Sequence, residues 1–425
     1  MDRLVLWALG AGNAAILLAE LGRDGALHLS HLALPVLYTI AYVGSICFLR
    51  ARGRPVDPML LGVVCALTGI GLAALVRLDA DLAFRQVRWI ILGIGLFTWI
   101  SLVSPWNWVR RYRYVWAIGG LALLSLTALF GVRSGGARSW LDLGFFSFQP
   151  VEIAKICVVF FLSSYLAENR MFLTGAPGRV GGVPARLEHL GPIGVMALLF
   201  ALALVAQRDL GAALILVGLC VWMLTAATGR LFYAVIGGGL AAAGGAAAVF
   251  LFDHVRIRFK VWLDPWSMAD GPGYQIVESM FALAGGGFFG SGWGHGLAHR
   301  IPAVETDFIY SLIVEEVGFI GAAGLLFLFA VYCIRALHPA LDPNVEDLVR
   351  LGTAGLSVLV AMQTFLIVGG VTRLLPVTGV TLPFVSYGGS SMISSFVQLG
   401  LVNCALVAKE RTLDEASEAP RWNEG

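Results

Sequence analysis

The sequence predicts an all-α polytopic membrane protein of about twelve transmembrane helices with one large outer loop. Three observations carry that prediction: the composition, the spacing of apolar runs, and the placement of Lys and Arg. Of 425 residues, 58% are hydrophobic and 13% charged, and the mean hydropathy is +0.82. Soluble domains carry roughly a quarter charged residues. A formal net charge of +2 supplies no bulk attraction for a polyanion, so nucleic acid is not an expected partner. Membrane lipids are.

Apolar runs fall near 4–21, 33–49, 58–76, 89–103, 114–131, 153–167, 191–206, 210–227, 231–252, 308–334, 351–371 and 392–408. Each has roughly the 15–25 residues that cross a ~30 Å hydrocarbon core. Inside lipid each must satisfy its own backbone hydrogen bonds, so a helical bundle is the expected architecture. The first run could imitate a signal peptide, but Arg3 is its only leading base, no A-x-A site follows, and a second span begins within a dozen residues. It is read as a helix. All six cysteines lie in apolar runs without CxxC spacing, which argues against a disulfide framework or a zinc site.

Basic residues orient the bundle, because short cytoplasmic loops concentrate Lys and Arg. Arg50, Arg52 and Arg54 follow the second run, and Arg110, Arg111 and Arg113 the fourth. Arg170, Arg179 and Arg186 follow the sixth, Arg230 the eighth, Arg335 and Arg350 the tenth, Lys409 and Arg411 the twelfth. Both termini are therefore expected in the cytoplasm, with 132–151, 253–306 and 372–390 facing outward. Arg138, Arg256, Arg258, Lys260 and Arg300 then fall on the outer side, against the rule. Singly they suit snorkelling; grouped beside the one long loop they suit an anion such as pyrophosphate. The charged tail 411–425 is expected to be disordered.

Ionisable residues within or beside spans are the candidates for chemistry. Glu152 and Lys155 stand three apart at the start of the sixth run, either as an ion pair that fixes packing or with Lys155 meeting substrate. Asp209 sits in a turn between two runs, as a helix N-cap would. Glu315 and Glu316 follow Asp307 by about two helical turns. The glycines between 285 and 296 match no phosphate-loop fingerprint and read as close backbone packing or a re-entrant loop. His295 and His299 would be a metal pair only on a helix, which the surrounding glycines disfavour. No metal site is predicted.

These residues resemble a known family. Gly136-Ala137-Arg138-Ser139-Trp140-Leu141, Phe148-Gln149-Pro150-Val151-Glu152-Ile153-Ala154-Lys155, Gln207-Arg208-Asp209-Leu210-Gly211, Gly273-Tyr274-Gln275, and Thr306-Asp307-Phe308-Ile309 with Glu315-Glu316-Val317-Gly318 appear in order. Leu375-Pro376-Val377-Thr378-Gly379-Val380 and Leu382-Pro383-Phe384-Val385-Ser386-Tyr387-Gly388-Gly389-Ser390-Ser391 complete the series. Together they are similar to the SEDS proteins, a family that includes RodA, FtsW and SpoVE, over roughly 57–410. The sequence departs from the usual motifs at Val151 (Ser), Arg208 (Pro), Glu278 (Gln) and Glu305 (His).

The resemblance implies a ten-helix core over 55–410, preceded by two additional helices in 1–54, as in longer RodA-like members. It also implies a peptidoglycan glycosyltransferase in the bacterial cytoplasmic membrane that polymerises lipid II at the outer face, partnered by a class B penicillin-binding protein. The catalytic aspartate of the family falls on Asp307.

The transfer needs a base for the incoming hydroxyl and cations for the departing pyrophosphate. Asp307 is expected as general base, with its pKa raised by burial or by Glu305. Lys155, Glu152, Arg138, Arg256, Arg258, Lys260, Glu316 and Ser386 are the expected substrate contacts. A divalent cation, Mg or Mn, could share that task with the basic side chains, and no other cofactor is indicated. A lipid II flippase or a non-catalytic scaffold for a transpeptidase remains an alternative on sequence alone.

Overall fold

The structure, a computed structural model, describes residues 3–134, 137–142, 144, 147–174, 179–180 and 183–418. Twelve long helices appear among them. α1 (Arg3–Asp24), α2 (Ala33–Ala51), α3 (Pro58–Leu78) and α4 (Ala80–Val103) lead. After the short α5 (Trp106–Arg111) come α6 (Arg113–Phe130), α7 (Val151–Thr174), α8 (Ala185–Gln207), α9 (Leu210–Thr228) and α10 (Leu231–Leu251). Short helices α11 (Asp253–Leu263) and α12 (Tyr274–Gly286) precede the long α13 (Ile309–Leu337), α14 (Asp347–Val371) and α15 (Gly389–Glu418). Eleven helices are long and apolar enough to cross a membrane. The remaining long one, α7, has 24 residues and carries Glu152, Lys155, Glu168 and Arg170.

The centre of the bundle is α3, α14 and α15, buried along most of their length. By contrast α10 buries only Ala248 among its residues, so its apolar surface faces lipid. The hairpin α1–α2 lies against α3 and α4. Gly12 and Gly69 meet there with their backbones in contact, the close approach that small residues allow between membrane helices.

Polar side chains lock the basic end of the bundle. Asp57 caps α3 by accepting from the Leu60 N–H at 2.7 Å, and it accepts from Arg335 Nε of α13 at 2.9 Å. Its own N–H donates to Asn403 Oδ1 of α15 at 2.9 Å. One residue thus ties three helices together.

Three sequence expectations change. α4 begins at Ala80, well before the apolar run at 89, because Asp81, Arg85 and Arg88 dilute hydropathy without breaking a helix. The segment 253–306 is not an extended loop: α11 and α12 occupy much of it. The last helix runs to Glu418, into the stretch expected to be disordered, while 419–425 lie outside the described residues. So do Gly136 and the side chains of Arg179, Arg186, Lys409 and Arg411.

A small antiparallel sheet stands at the other end, away from the basic loops. It is built of β1 (Val132–Ser134), β2 (Ala137–Asp142) and β3 (Ser147–Phe148), in that order. The Gln149 N–H beyond β3 donates to Ser390 Oγ at 2.9 Å, so the sheet is pinned to the start of α15 and closes one side of a cavity.

Candidate active site

A cavity of about 920 Å³ opens at the end of the bundle that carries α11 and α12. Its wall takes Arg85, Arg88, Trp89 and Leu92 from α4, Ala137, Ser139 and Trp140 from β2, and Arg208 and Asp209 from the α8–α9 turn. Arg258 of α11, Glu305, Thr306 and Asp307 before α13, and Thr378, Gly379, Thr381 and Tyr387 before α15 complete most of the lining. Segments far apart in sequence converge here.

Asp307 is partly buried in that wall, and its N–H donates to the Ala303 carbonyl at 3.2 Å. Desolvation pushes its pKa up to about 6; the Thr306 hydroxyl and Arg258 oppose the rise, while Glu305 and Asp209 add to it. Asp209 is also raised, chiefly by burial, with the Ala212 N–H, Lys155 and Arg258 opposing. The same Asp209 oxygen that caps α9 accepts from Ala212 N at 3.0 Å. The residue therefore serves as cap and as cavity wall together.

The loop before α15 holds Asp307 in place. Ser386 Oγ donates to the Thr306 carbonyl at 2.7 Å and accepts from the Leu382 N–H at 2.9 Å. The Tyr387 N–H donates to the Glu305 carbonyl at 2.9 Å. Behind them, Gln86 of α4 donates to the Ser386 carbonyl at 3.1 Å and accepts from the Gly388 N–H at 3.2 Å. The loop before α15 and, behind it, helix α4 are thus laced to the backbone beside the carboxylate.

Of the expected substrate contacts, Arg258 lines the cavity, and its Nη1 donates to the Thr378 carbonyl at 3.4 Å. The others are placed elsewhere. Ser386 is only 2% exposed, with its hydroxyl engaged as above, so it positions the loop and does not face the cavity. Lys155 and Glu152 form a buried pair at 2.8 Å inside α7, and Ser394 donates to the second Glu152 oxygen at 3.0 Å. Their field reaches Asp209, but neither side chain lines the cavity.

Arg256 turns back on α10, donating to the Phe250 carbonyl at 2.9 Å and pairing with Asp253 at 3.2 Å. Lys260 is exposed, and Arg138 sits on β2 without lining the cavity. Glu316 accepts from Arg77 of α3 at 2.6 Å, and that guanidinium also donates to the Gly294 and Gly296 carbonyls at 3.1 Å. Glu315 accepts from the Leu297 N–H at 2.9 Å. The paired glutamates thus staple the glycine-rich segment to the bundle, separately from Asp307. Gly318, at φ 73°, breaks the helical geometry of α13 where the Gly290 backbone abuts it. Close packing was the correct reading of the glycines.

Arg85, Arg88 and Trp89 were missed by the sequence reading, which began the fourth span too late. A signal was present: Arg77, Arg85 and Arg88 lie between the third and fourth runs, where short basic loops are not expected. Arg208, noticed only as a departure from the family motif, takes a left-handed backbone at φ 62° and brings a further cation to the cavity.

Among the described residues no three His, Cys, Asp or Glu side chains gather as a metal site. Asp209, Glu305 and Asp307 all line the cavity. Arg85, Arg88, Arg208 and Arg258 bring four cations to the same wall.

A bundle of membrane-spanning helices with three carboxylates and four arginines around a cavity at one end defines a polytopic membrane protein with a polar site at the end of its bundle. The family profile described as "Cell cycle protein", which covers FtsW, RodA and SpoVE, matches residues 57–411. The peptidoglycan glycosyltransferase RodA of Mycobacterium tuberculosis is 35% identical over 404 residues, covering 92% of this chain and 86% of that one. Stage V sporulation protein E of Bacillus subtilis is 33% identical over 349 residues, 80% of this chain and 92% of that one. A solved chain from work on polymerization and crosslinking by a peptidoglycan synthase complex superposes with a TM-score of 0.69 at 29% identity, covering 84% of this chain and 98% of its own. The chain belongs to the FtsW/RodA/SpoVE family, that is, to the SEDS proteins. It is a multi-pass protein of the bacterial inner membrane.

Proposed function

We infer that the chain is a peptidoglycan glycosyltransferase that polymerises lipid II, with Asp307 as general base. The observation that carries the assignment of roles is the loop-held carboxylate of Asp307, raised to about 6, in the wall of a cavity that four arginines also line. A carboxylate with that pKa is largely ionised at neutral pH yet more basic than a free aspartate, which suits proton abstraction near its own pKa.

The transfer breaks the bond between the donor sugar's anomeric carbon and its diphosphate and forms one to the acceptor hydroxyl. The hydroxyl proton goes to Asp307, and the diphosphate leaves with its negative charge. A glycoside leaving as an alkoxide needs a second acid to protonate it. A diphosphate needs only cations held in advance where its charge develops, the position that Arg258, Arg208, Arg85 and Arg88 occupy. A flippase is less well supported, because the ionisable groups that line the cavity gather at one end of the bundle and not at its middle, where transporters bind.

The basic loops support a topology with both termini in the cytoplasm and the cavity outside. A class B penicillin-binding protein is the proposed partner, supported by the likeness to a chain solved in a peptidoglycan synthase complex. The test is polymerisation of purified lipid II with and without that partner. Asp307→Asn should reduce it by the ~10²–10⁴-fold typical of a lost general base while lipid II binding persists. Near wild-type synthesis by the variant, with no other polymerase present, would overturn the assignment.

A further inference from the structure

The arginines on α4 face two spaces. Arg85 and Arg88 line the Asp307 cavity, and they also line a second, shallower groove of about 500 Å³ between α2 and α4. Its apolar wall includes Leu37 of α2 with Phe84 and Ile91 of α4, and Asp81 is the carboxylate in its lining. Toward the mouth it is bounded by the His31–Phe84 ring contact, 6.1 Å between centroids. Further along the same two helices, Ser45 of α2 and Thr98 of α4 hold α2 against α4 with a 2.6 Å hydrogen bond. Leu37 and Ile91 are exposed, so the groove opens sideways, toward lipid.

The geometry points to this groove as a binding site for a second polyprenyl diphosphate, the lipid carrier displaced by each transfer. The inference rests on the glycosyltransferase reading. Joining two lipid-linked sugars brings two prenyl chains to one carboxylate, and a single lateral exit cannot hold both. Here α4 is a ridge with apolar residues on either side, Leu92 toward the cavity and Ile91 toward α2, and both flanks share Arg85 and Arg88. A diphosphate can therefore pass from one flank to the other without leaving its cations. Two arginines against one aspartate leave the groove net positive, which complements a diphosphate more closely than a zwitterionic headgroup. α2 contributes Leu37 to a lining otherwise drawn from α4, and α2 lies before the family match at 57–411, so the complete groove belongs to chains that carry the additional hairpin.

A polyprenyl diphosphate bearing a photoreactive diazirine on its chain, added to the full-length protein in phosphatidylcholine nanodiscs, tests the proposal. Labelled peptides should map to α2 around Leu37 and to α4 around Ile91, and excess unlabelled polyprenyl diphosphate should abolish the labelling. Leu37→Trp, which fills the groove without touching the cavity, should weaken labelling by at least about tenfold, some 1.4 kcal/mol of binding. Should that variant fail to fold by thermal melting, Ile91→Trp takes its place. Labelling confined to other helices, or insensitive to both tryptophans, overturns the proposal. So does equal displacement by phosphatidylglycerol, which would make the groove a general anionic-lipid site. Failure of polymerisation would sink the glycosyltransferase reading and leave these labelling results to be judged by themselves.

Discussion

The Ser386 hydroxyl donates to the Thr306 carbonyl at 2.7 Å, so a residue from the loop before α15 fixes the backbone immediately before Asp307. The carboxylate is aimed by tertiary contacts. Ser386 is 2% exposed and gives its one hydroxyl proton to Thr306, which leaves it no donor for substrate.

Ser386→Ala should therefore act through position. It leaves the Thr306 carbonyl and the Leu382 N–H without their partner, at a cost of about 1–3 kcal/mol for buried groups. The expected result is a lower melting temperature and a lower kcat, with the pH dependence of the remaining activity unchanged. A normal kcat beside a raised KM would return Ser386 to the substrate.

The rate should follow the protonation of Asp307. With its pKa raised to about 6, kcat/KM should climb as pH rises through that value and then level. Glu305 raises the pKa and Arg258 lowers it, so Glu305→Gln should move the midpoint down and Arg258→Gln should move it up. A pH–rate series on the three proteins measures both signs; shifts in the opposite directions would remove Asp307 as the titrating group.

Stability carries the same signature with its own sign. An acid whose folded pKa is raised above its ordinary 3.8 contributes stability that is complete below 3.8 and lost as pH rises through about 6. Asp307→Asn does not titrate. Its melting temperature relative to wild type should thus be higher at pH 8 than at pH 4, read by thermal unfolding in detergent.

The Glu152–Lys155 pair should behave as a buried ion pair. Lys155→Met strands a carboxylate inside α7, with Ser394 as its remaining partner, and should cost on the order of 3–5 kcal/mol. Glu152→Gln combined with Lys155→Met should recover most of that loss. Equal melting temperatures for the single and double variants would contradict it.

Reporter fusions after Arg54, Arg113 and Arg230 should read cytoplasmic, and fusions near Gly273 and Thr378 external. An external signal at Arg230 would break the proposed topology. The arginines of the cavity, on the outer side in this scheme, would then need another explanation.

The sequence by itself determined the bundle, because hydrocarbon admits only segments that satisfy their own backbone, and hydropathy along the chain counts those segments directly. It also singled out Asp307, since a carboxylate at the start of a membrane helix inside a family motif is visible without coordinates. Which cations surround Asp307 was decided only in three dimensions. Arg85, Arg88, Arg208 and Arg258 come from three separate segments, and no spacing rule links residues that meet across helices. Glu316 and Lys155 looked like site residues for the same reason that Arg85 did not. Sequence registers that a charge lies near a span, whereas its partner, Arg77 for Glu316 and Glu152 for Lys155, is chosen by packing, and the partner decides whether the charge is spent within the fold or left facing the substrate.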